Sequence, residues 1–445
     1  MKTPWLAACA AALLGLTVVA LAIPHPVPGQ FGIGYGAALQ AFVFAACAQG
    51  IVYFAAVWLL VRGISAPRLS FIMGIALLLR LLVLVFPPFL SNDMYRYIWD
   101  GWVQGAGINP YRYIPDDSHL AFLRDAVVFP NINRADYAHT IYPPAAQFFF
   151  AAAAWLAKFF HLPPVLGMKL AMVGIEGAGI WAMLRLLDKL GLPRTRILIY
   201  AWNPLPIWEF AGNGHVDAIT VAFIAFALLA VASRKSGFAG AALAAAVLTK
   251  FLPLVLAPAL WRRWDWRFAG IFVAVIVLLY LPYLGVGAQV FGFLGGYAAQ
   301  ENINSGQGIL LLGILSLLAP LPAIAAKLYL LLLAVLLACV AFAMLRHPVF
   351  GKTTAQRCLL LGGLLMAGIS PHYPWYYAFL LVPACIVPSP AALYLVTASF
   401  LLYLNPTHTQ LLWPSILFGP YAALAAWRYF STDAALAPAH QGARP

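Results

Sequence analysis

The stretch Leu90–Pro115, "LSNDMYRYIWDGWVQGAGINPYRYIP", decides how the chain is read, because it follows a long apolar run almost without pause. Ser91 and Asn92 are good N-cap residues, and "DMYRYIWDGWVQG" after them reads as a helix closed by Gly105 or Gly107. On that helix Asp93, Arg96, Tyr97 and Asp100 fall at i, i+3, i+4 and i+7 and share one face. Two readings stay open. Asp93–Arg96 and Arg96–Asp100 pairs could hold a capped helix at an interface. Alternatively Asp93, at the mouth of an apolar helix, is a carboxylate held ready to accept a proton. Arg96 one turn away would then hold an anionic phosphate.

The rest of the chain sets the medium in which that helix works. Of 445 residues 64% are hydrophobic and only 9% are charged, against about 25% charged in a soluble globular chain. Apolar runs long enough to cross a bilayer recur from end to end. The expected fold is therefore an all-α polytopic membrane protein, with about 12–14 transmembrane helices and some re-entrant segments. The 33 prolines and 35 glycines imply that several helices are broken. The net charge of +13 does not indicate nucleic acid, since the basic residues sit in small groups at the ends of apolar runs. The five cysteines lie in or beside apolar segments without metal spacing and read as packing residues. The N-terminal run Trp5–Ile23 is longer than the usual hydrophobic stretch of a signal peptide, which favours an uncleaved first helix over a cleaved one.

Orientation follows from Lys and Arg, which collect in short cytoplasmic loops. Grouping Lys2, Arg62/Arg68, Arg185–Arg196, Arg234/Lys235, Arg262–Arg267, Arg346–Arg357 and Arg428/Arg444 inside places both termini in the cytoplasm. With that parity the segment 142–164 must be re-entrant or interfacial, and 237–261 a hairpin broken near Lys250 and Pro253. The outward segments are then 91–142, 212–217, about 285–308, 371–375 and 405–413. Six of the chain's 13 acidic residues fall in the first of these, so the working face is expected on the periplasmic side of a bacterial inner membrane. Residues 1–430 read as one integral-membrane domain, with 91–142 as its first large outer loop. Residues 431–445 read as a disordered cytoplasmic tail.

On these residues the loop resembles the first outer loop of the GT-C glycosyltransferase superfamily. It is closest to bacterial polyprenol-phosphate-mannose-dependent mannosyltransferases, whose loop reads much like D-x-x-R-Y-x-W-D-G…G-x-N-P-Y. "YPPAAQ" (142–147), "AWNPLPIWEFAGNGHVDA" (201–218), "LTKFLP" (248–253) and "SPHYPWYY" (370–377) resemble the same group in the same order. The resemblance spans about Phe71 to Tyr377. It implies that Asp93 is the catalytic acid and that a polyprenyl-phosphate-linked sugar is the donor. Many members carry two adjacent acids at this point, whereas here Asn92 precedes Asp93, so no tightly bound metal and no cofactor are expected.

Other residues are weighed on their own chemistry. His215 and Asp217 follow the Gly212-Asn213-Gly214 turn; Asp217 is either a helix cap or, with Asn213 and His215, a contact for sugar or acceptor hydroxyls. Glu209 is an intramembrane acid, costly unless it faces a cavity or a partner such as Trp202. Lys250 either snorkels to an interface or binds the donor phosphate in a helix break. His372, between two prolines, is a second candidate for the phosphate, with Asp100, Tyr373 and Trp375 at the sugar or acceptor. Arg134 and His139 could line the acceptor path, and Glu176 receives no role.

The resulting expectation is an enzyme moving a hexose, with mannose favoured, from polyprenyl phosphate to a periplasmic glycan or lipid acceptor. Asp93 would serve as general base, and Arg96, Lys250 and His372 would bind phosphate. A transporter or flippase of lipid-linked sugars is the rival, since broken helices with buried charges serve it as well. A ligase or polymerase moving a whole lipid-linked glycan is a third possibility.

Overall fold

Three apolar helices, α1 (Pro4–Ala22), α2 (Tyr35–Val61) and α3 (Leu69–Leu84), open the structure. It is a computed structural model that describes residues 4–23, 35–262, 264–303, 305–346, 353–405 and 410–434. Two of the polar groups buried among these helices are paired with each other, as a dry interior favours. Gln49 donates to Thr17 Oγ1 at 2.8 Å and accepts from the Trp208 indole at 2.8 Å.

Beyond α3 the chain turns at Pro87–Pro88 into α4 (Asp93–Gly105), an amphipathic helix. The end of α3 is held by Lys169 Nζ, which donates to the carbonyls of Val83 (3.2 Å) and Phe86 (2.6 Å). The Val83 carbonyl also accepts from the Phe86 N–H at 3.4 Å, and the ammonium adds a second donor at this frayed helix end. Next come an irregular loop and α5 (Pro144–Phe159), which packs along α4. Gly101 permits this closeness: a Cβ there would lie 2.5 Å from the Phe150 carbonyl oxygen. Tyr97 stacks on Phe150, their ring centroids 4.6 Å apart. With 16 residues, α5 is about 24 Å long, short of the roughly 30 Å hydrocarbon core. Phe148, Trp155, Phe159 and Phe160 project from it, exposed on the protein surface.

The 26-residue helix α6 (Pro164–Lys189) is pinned to α3 by a buried ion pair. Arg80 donates to both carboxylate oxygens of Glu176, at 2.9 and 2.7 Å, and also to the Ala201 carbonyl. The Tyr200 hydroxyl completes the cluster on Glu176 at 3.0 Å. Glu176 thus joins three segments. The next stretch is made of pieces: a 3-10 turn, two single turns and a π-helical turn at Ile207–Gly212, all within 194–212. Pro204 and Pro206 break regular bonding there, and Asn203 repairs part of it by accepting from Leu205 N and donating to Thr397. Trp202 donates to the Ile72 carbonyl, so it is not the partner of Glu209.

A hairpin follows, from the helix Asp217–Ala232 to the helix Ser236–Val247. The second arm breaks at 248–251 and resumes as the short turns Leu252–Leu256 and Ala257–Leu260, the site of the expected Lys250/Pro253 interruption. Long apolar helices Trp266–Tyr280, Ala325–Arg346 and Leu412–Ala434 and shorter ones between them complete the fold. The last helix carries the backbone past Ser431, where the tail is placed from the sequence; residues 435–445 lie outside the described residues.

Among the described residues five segments are long and apolar enough to cross a membrane: Pro4–Ala22, Gly36–Val61, Pro164–Lys189, Trp266–Phe291 and Ala325–Arg346. Six shorter apolar segments accompany them. The protein is all-α and multi-pass; many of its apolar segments are shorter or more broken than the expected 12–14 regular spans.

Candidate active site

The turn Asn213–Val216 and the start of α4 meet at one end of the helix bundle. Gly214 adopts φ +67°, and a Cβ on it would meet Met94 Sδ, so glycine alone fits there. Asn213 accepts from the backbone N–H groups of Phe89 and Leu90 and donates to the Trp208 carbonyl. Its amide therefore fixes the loop that delivers Asp93, and is not turned to a sugar.

Asp93 occupies the first turn of α4, outside the spanning helices and half-buried. Ser91 Oγ accepts from its backbone N–H at 3.1 Å, so Ser91 does the capping, while the Asn92 side chain turns to Asn133. Asn133 also donates to Asp93 Oδ1 at 2.8 Å. Burial raises the carboxyl above the ordinary aspartate value, and the Asn133 bond, Lys250 and Arg134 oppose that rise. The carboxyl therefore holds a proton more readily than an exposed aspartate does.

Arg96 is turned away from this point. Its guanidinium donates to Asp100 Oδ1 at 2.9 Å and to the Ala138 carbonyl at 3.1 Å. Asp100 in turn accepts from Thr140 and Gln147. The expected Asp93–Arg96 pair is absent among the contacts of either residue. Arg96 and Asp100 fasten the loop Ala138–Tyr142 onto α4, the blander of the two readings for this face.

Lys250 enters from the break in the hairpin. Its ammonium lies 2.7 Å from Asp217 Oδ2 and 4.0 Å from the centre of the Tyr376 ring. Asp217 opens its helix, but its carboxylate serves Lys250 instead of capping. His215, fully buried, stacks on Trp375 (3.9 Å), and Trp375 stacks on Tyr373 (4.7 Å). Below them Glu209 Oε1 accepts from Tyr403 at 2.7 Å, and Glu209 Oε2 lies 3.5 Å from His215 Nε2.

His372 faces two acceptors. Nδ1 lies 3.1 Å from Glu301 Oε2 and Nε2 lies 2.8 Å from the Gly308 carbonyl oxygen. A carbonyl only accepts, so Nε2 carries a proton. In this arrangement the ring ties the segment 301–308 to 370–376, and neither nitrogen is directed at a phosphate. Beside it lies a cavity of about 230 Å³. Its wall is largely apolar, including Ile141, Leu252, Leu294 and Ile303, with Lys250, Glu301 and His372 among its polar members beside three tyrosines.

Asp93, Asp217, Lys250, Tyr373, Trp375, His215 and Glu209 are thus gathered from four separate stretches of sequence into one cluster, which with the adjoining cavity that Lys250 lines makes up the chamber. Tyr376 and Arg134 belong with them; Arg134 is in charge contact with Asp93 and lies over Tyr297 at 5.7 Å. His139 lines a small recess beside Arg96 and Arg134. Glu301, Asn133 and Tyr403 are absent from the sequence reading. Glu301 had a signal, being a lone acid in an outward, otherwise uncharged segment; Asn133 and Tyr403 had none.

An all-α multi-pass fold with an acidic residue opening its first large loop is the pattern of the GT-C membrane glycosyltransferases. The family described as "Alpha-(1->6)-mannopyranosyltransferase, N-terminal domain" matches residues 5–265, and the chain belongs to it. No curated protein and no solved structure matches the chain. The matched region supplies Asp93, Glu209, His215, Asp217 and Lys250. Glu301, His372, Tyr373, Trp375, Tyr376 and Tyr403 lie beyond it and close the same chamber.

Proposed function

We propose that the protein transfers a hexose, with mannose favoured, from a polyprenyl-phosphate donor to a hydroxyl of a glycan or lipid acceptor on the outer face of the membrane. The observation that carries this reading is the adjacency of a half-buried carboxylate, an ammonium and an oily cavity. Asp93 lies within electrostatic reach of Lys250, and Lys250 lines the cavity of about 230 Å³. An ordinary soluble donor has no use for such an apolar wall.

In the proposed reaction the acceptor oxygen attacks the anomeric carbon as the bond from that carbon to the phosphate oxygen breaks. The hydroxyl proton passes to Asp93. The departing lipid phosphate gains negative charge, which Lys250 and Arg134 offset; fixed charges of this kind are often a large part of catalysis. Lys250 retains donors for phosphate, since an ammonium has three and one serves Asp217. Tyr373 and Trp375 offer stacked ring faces to the apolar side of a sugar. Direct displacement gives inversion at the anomeric carbon. No metal or cofactor enters this scheme.

Reconstituted protein supplied with radiolabelled polyprenyl-phosphate mannose, polyprenyl-phosphate glucose or nucleotide-linked mannose tests the reading. Transfer to a membrane-extractable acceptor is expected from the lipid-linked mannose. Transfer from the nucleotide sugar, or movement of the lipid-linked sugar across the bilayer without bond formation, would refute it.

The acidic limb of the pH–rate profile provides a second check. As pH falls through the raised value of Asp93, the carboxylate takes up a proton and can no longer accept one. The rate should therefore drop at a pH above about 3.9, the value of an unperturbed aspartate. Asn133→Ala removes a hydrogen bond to the charged form and is expected to move that limb to still higher pH. An unmoved limb would separate Asp93 from the titration.

A further inference from the structure

At the end of the bundle opposite the chamber, α6 and the helix Asp217–Ala232 part to leave a groove of about 990 Å³. Both helices run from the end where Lys169 and Asp217 lie to this one, which they reach at Lys189 and Ala232. The turn into Ser236–Val247 forms the third wall. Arg185, Lys189 and Lys235 line the groove beside the aromatic rings of Trp181, Phe226 and Phe238.

From this groove we infer a binding site for an anionic glycerophospholipid of the leaflet opposite the chamber. The charge balance favours an anion. Three cations line the groove against one carboxylate, Asp188, which lies 3.4 Å from Arg194 Nε and is partly offset by it. The Lys235 ammonium sits over the Phe238 ring at 5.8 Å. A phosphate at the basic end would leave its acyl chains to run along the aromatic flanks. Trp181 and Phe238 present those flanks outward, at 55% and 70% exposure. Basic pockets between membrane helices recognise anionic headgroups by this combination of cations and apolar walls.

The rival account is that the three cations only complement the carbonyl ends of two helices and the general excess of positive charge at one membrane face. That account needs neither the volume nor the rings, and it predicts no preference for a groove over any other basic loop.

The full-length protein in detergent separates the two. Phosphatidylglycerol, but not phosphatidylcholine, is expected to raise the unfolding midpoint by a few degrees, as a ligand that binds only the folded state does. The triple variant Arg185→Gln/Lys189→Gln/Lys235→Gln should lose that shift. The variant Arg62→Gln/Arg68→Gln/Arg267→Gln, with the same charge removed elsewhere, should keep it. An equal shift with phosphatidylcholine, or an equal loss in both triple variants, would overturn the site. A photoreactive residue at Phe238 in an otherwise native chain gives a readout independent of how the triple variant folds. It should cross-link phosphatidylglycerol in preference to phosphatidylcholine, and equal labelling would again overturn the proposal.

Discussion

Asp93→Asn is expected to lower the turnover number by about 10²–10⁴-fold, the usual contribution of a positioned proton acceptor. The substitution is nearly isosteric. Its amide oxygen can still accept from Asn133, which lies 2.8 Å from the present carboxylate, so the first turn of α4 should stay in place. What disappears is the ability to take a proton from the attacking hydroxyl. The donor's phosphate and lipid contacts are elsewhere, at Lys250 and the oily cavity, so KM for donor should change much less than kcat. Initial rates of transfer over a range of lipid-linked sugar concentrations give both quantities. A variant that keeps its turnover number would remove Asp93 from the chemistry; one that loses only donor affinity would make it a binding residue.

Arg80→Met is expected to cause the largest loss of stability of any single change considered. Arg80 and Glu176 are both at least 95% buried, and the guanidinium meets both carboxylate oxygens. Removing one partner of a buried pair typically costs about 3–5 kcal/mol, because the other charge is left without compensation. The Ala201 carbonyl loses its donor as well. The double variant Arg80→Met/Glu176→Gln removes the stranded charge and should regain much of the loss, with Tyr200 still able to bond the new amide. Unfolding of the purified protein in mixed micelles measures both. If the double variant is no more stable than the single one, the cost does not come from an isolated carboxylate.

How much of this was legible beforehand depended on whether the controlling contact was local. The α4 boundaries and the Gly105–Gly107 stop follow from caps and turns within a few residues, and the sequence carries those openly. The break at Lys250 was equally visible, because Pro253 and a charge interrupt an apolar run. Asp93 and Lys250 stood out as charges in a nearly uncharged chain, and the structure brings both to one chamber. The partners of polar groups were not legible. Arg96 could bond forward to Asp100 or back to Asp93, and the choice is made by Ala138 and Thr140, about 40 residues away. His372 could not be distinguished from a phosphate donor until Glu301 and Gly308 closed on it. Asn213 reads like a sugar ligand, yet its amide is consumed by backbone groups of residues 89 and 90. Breaks such as those within 194–212 were legible only in outline, from the prolines, because length and hydropathy do not register where a helix changes its hydrogen-bonding pattern.

The chamber is closed by residues as far apart as Asp93 and Tyr403. A ribosome releases these in order, so the nascent chain carries its acid long before it has the Glu301, Trp375 and Tyr403 portion of the wall. Truncation anywhere before Tyr403 leaves the acid in place and the enclosure unfinished. Insertion into the membrane and completion of this cluster are therefore separate events in the life of one polypeptide, and the final third of synthesis decides the second.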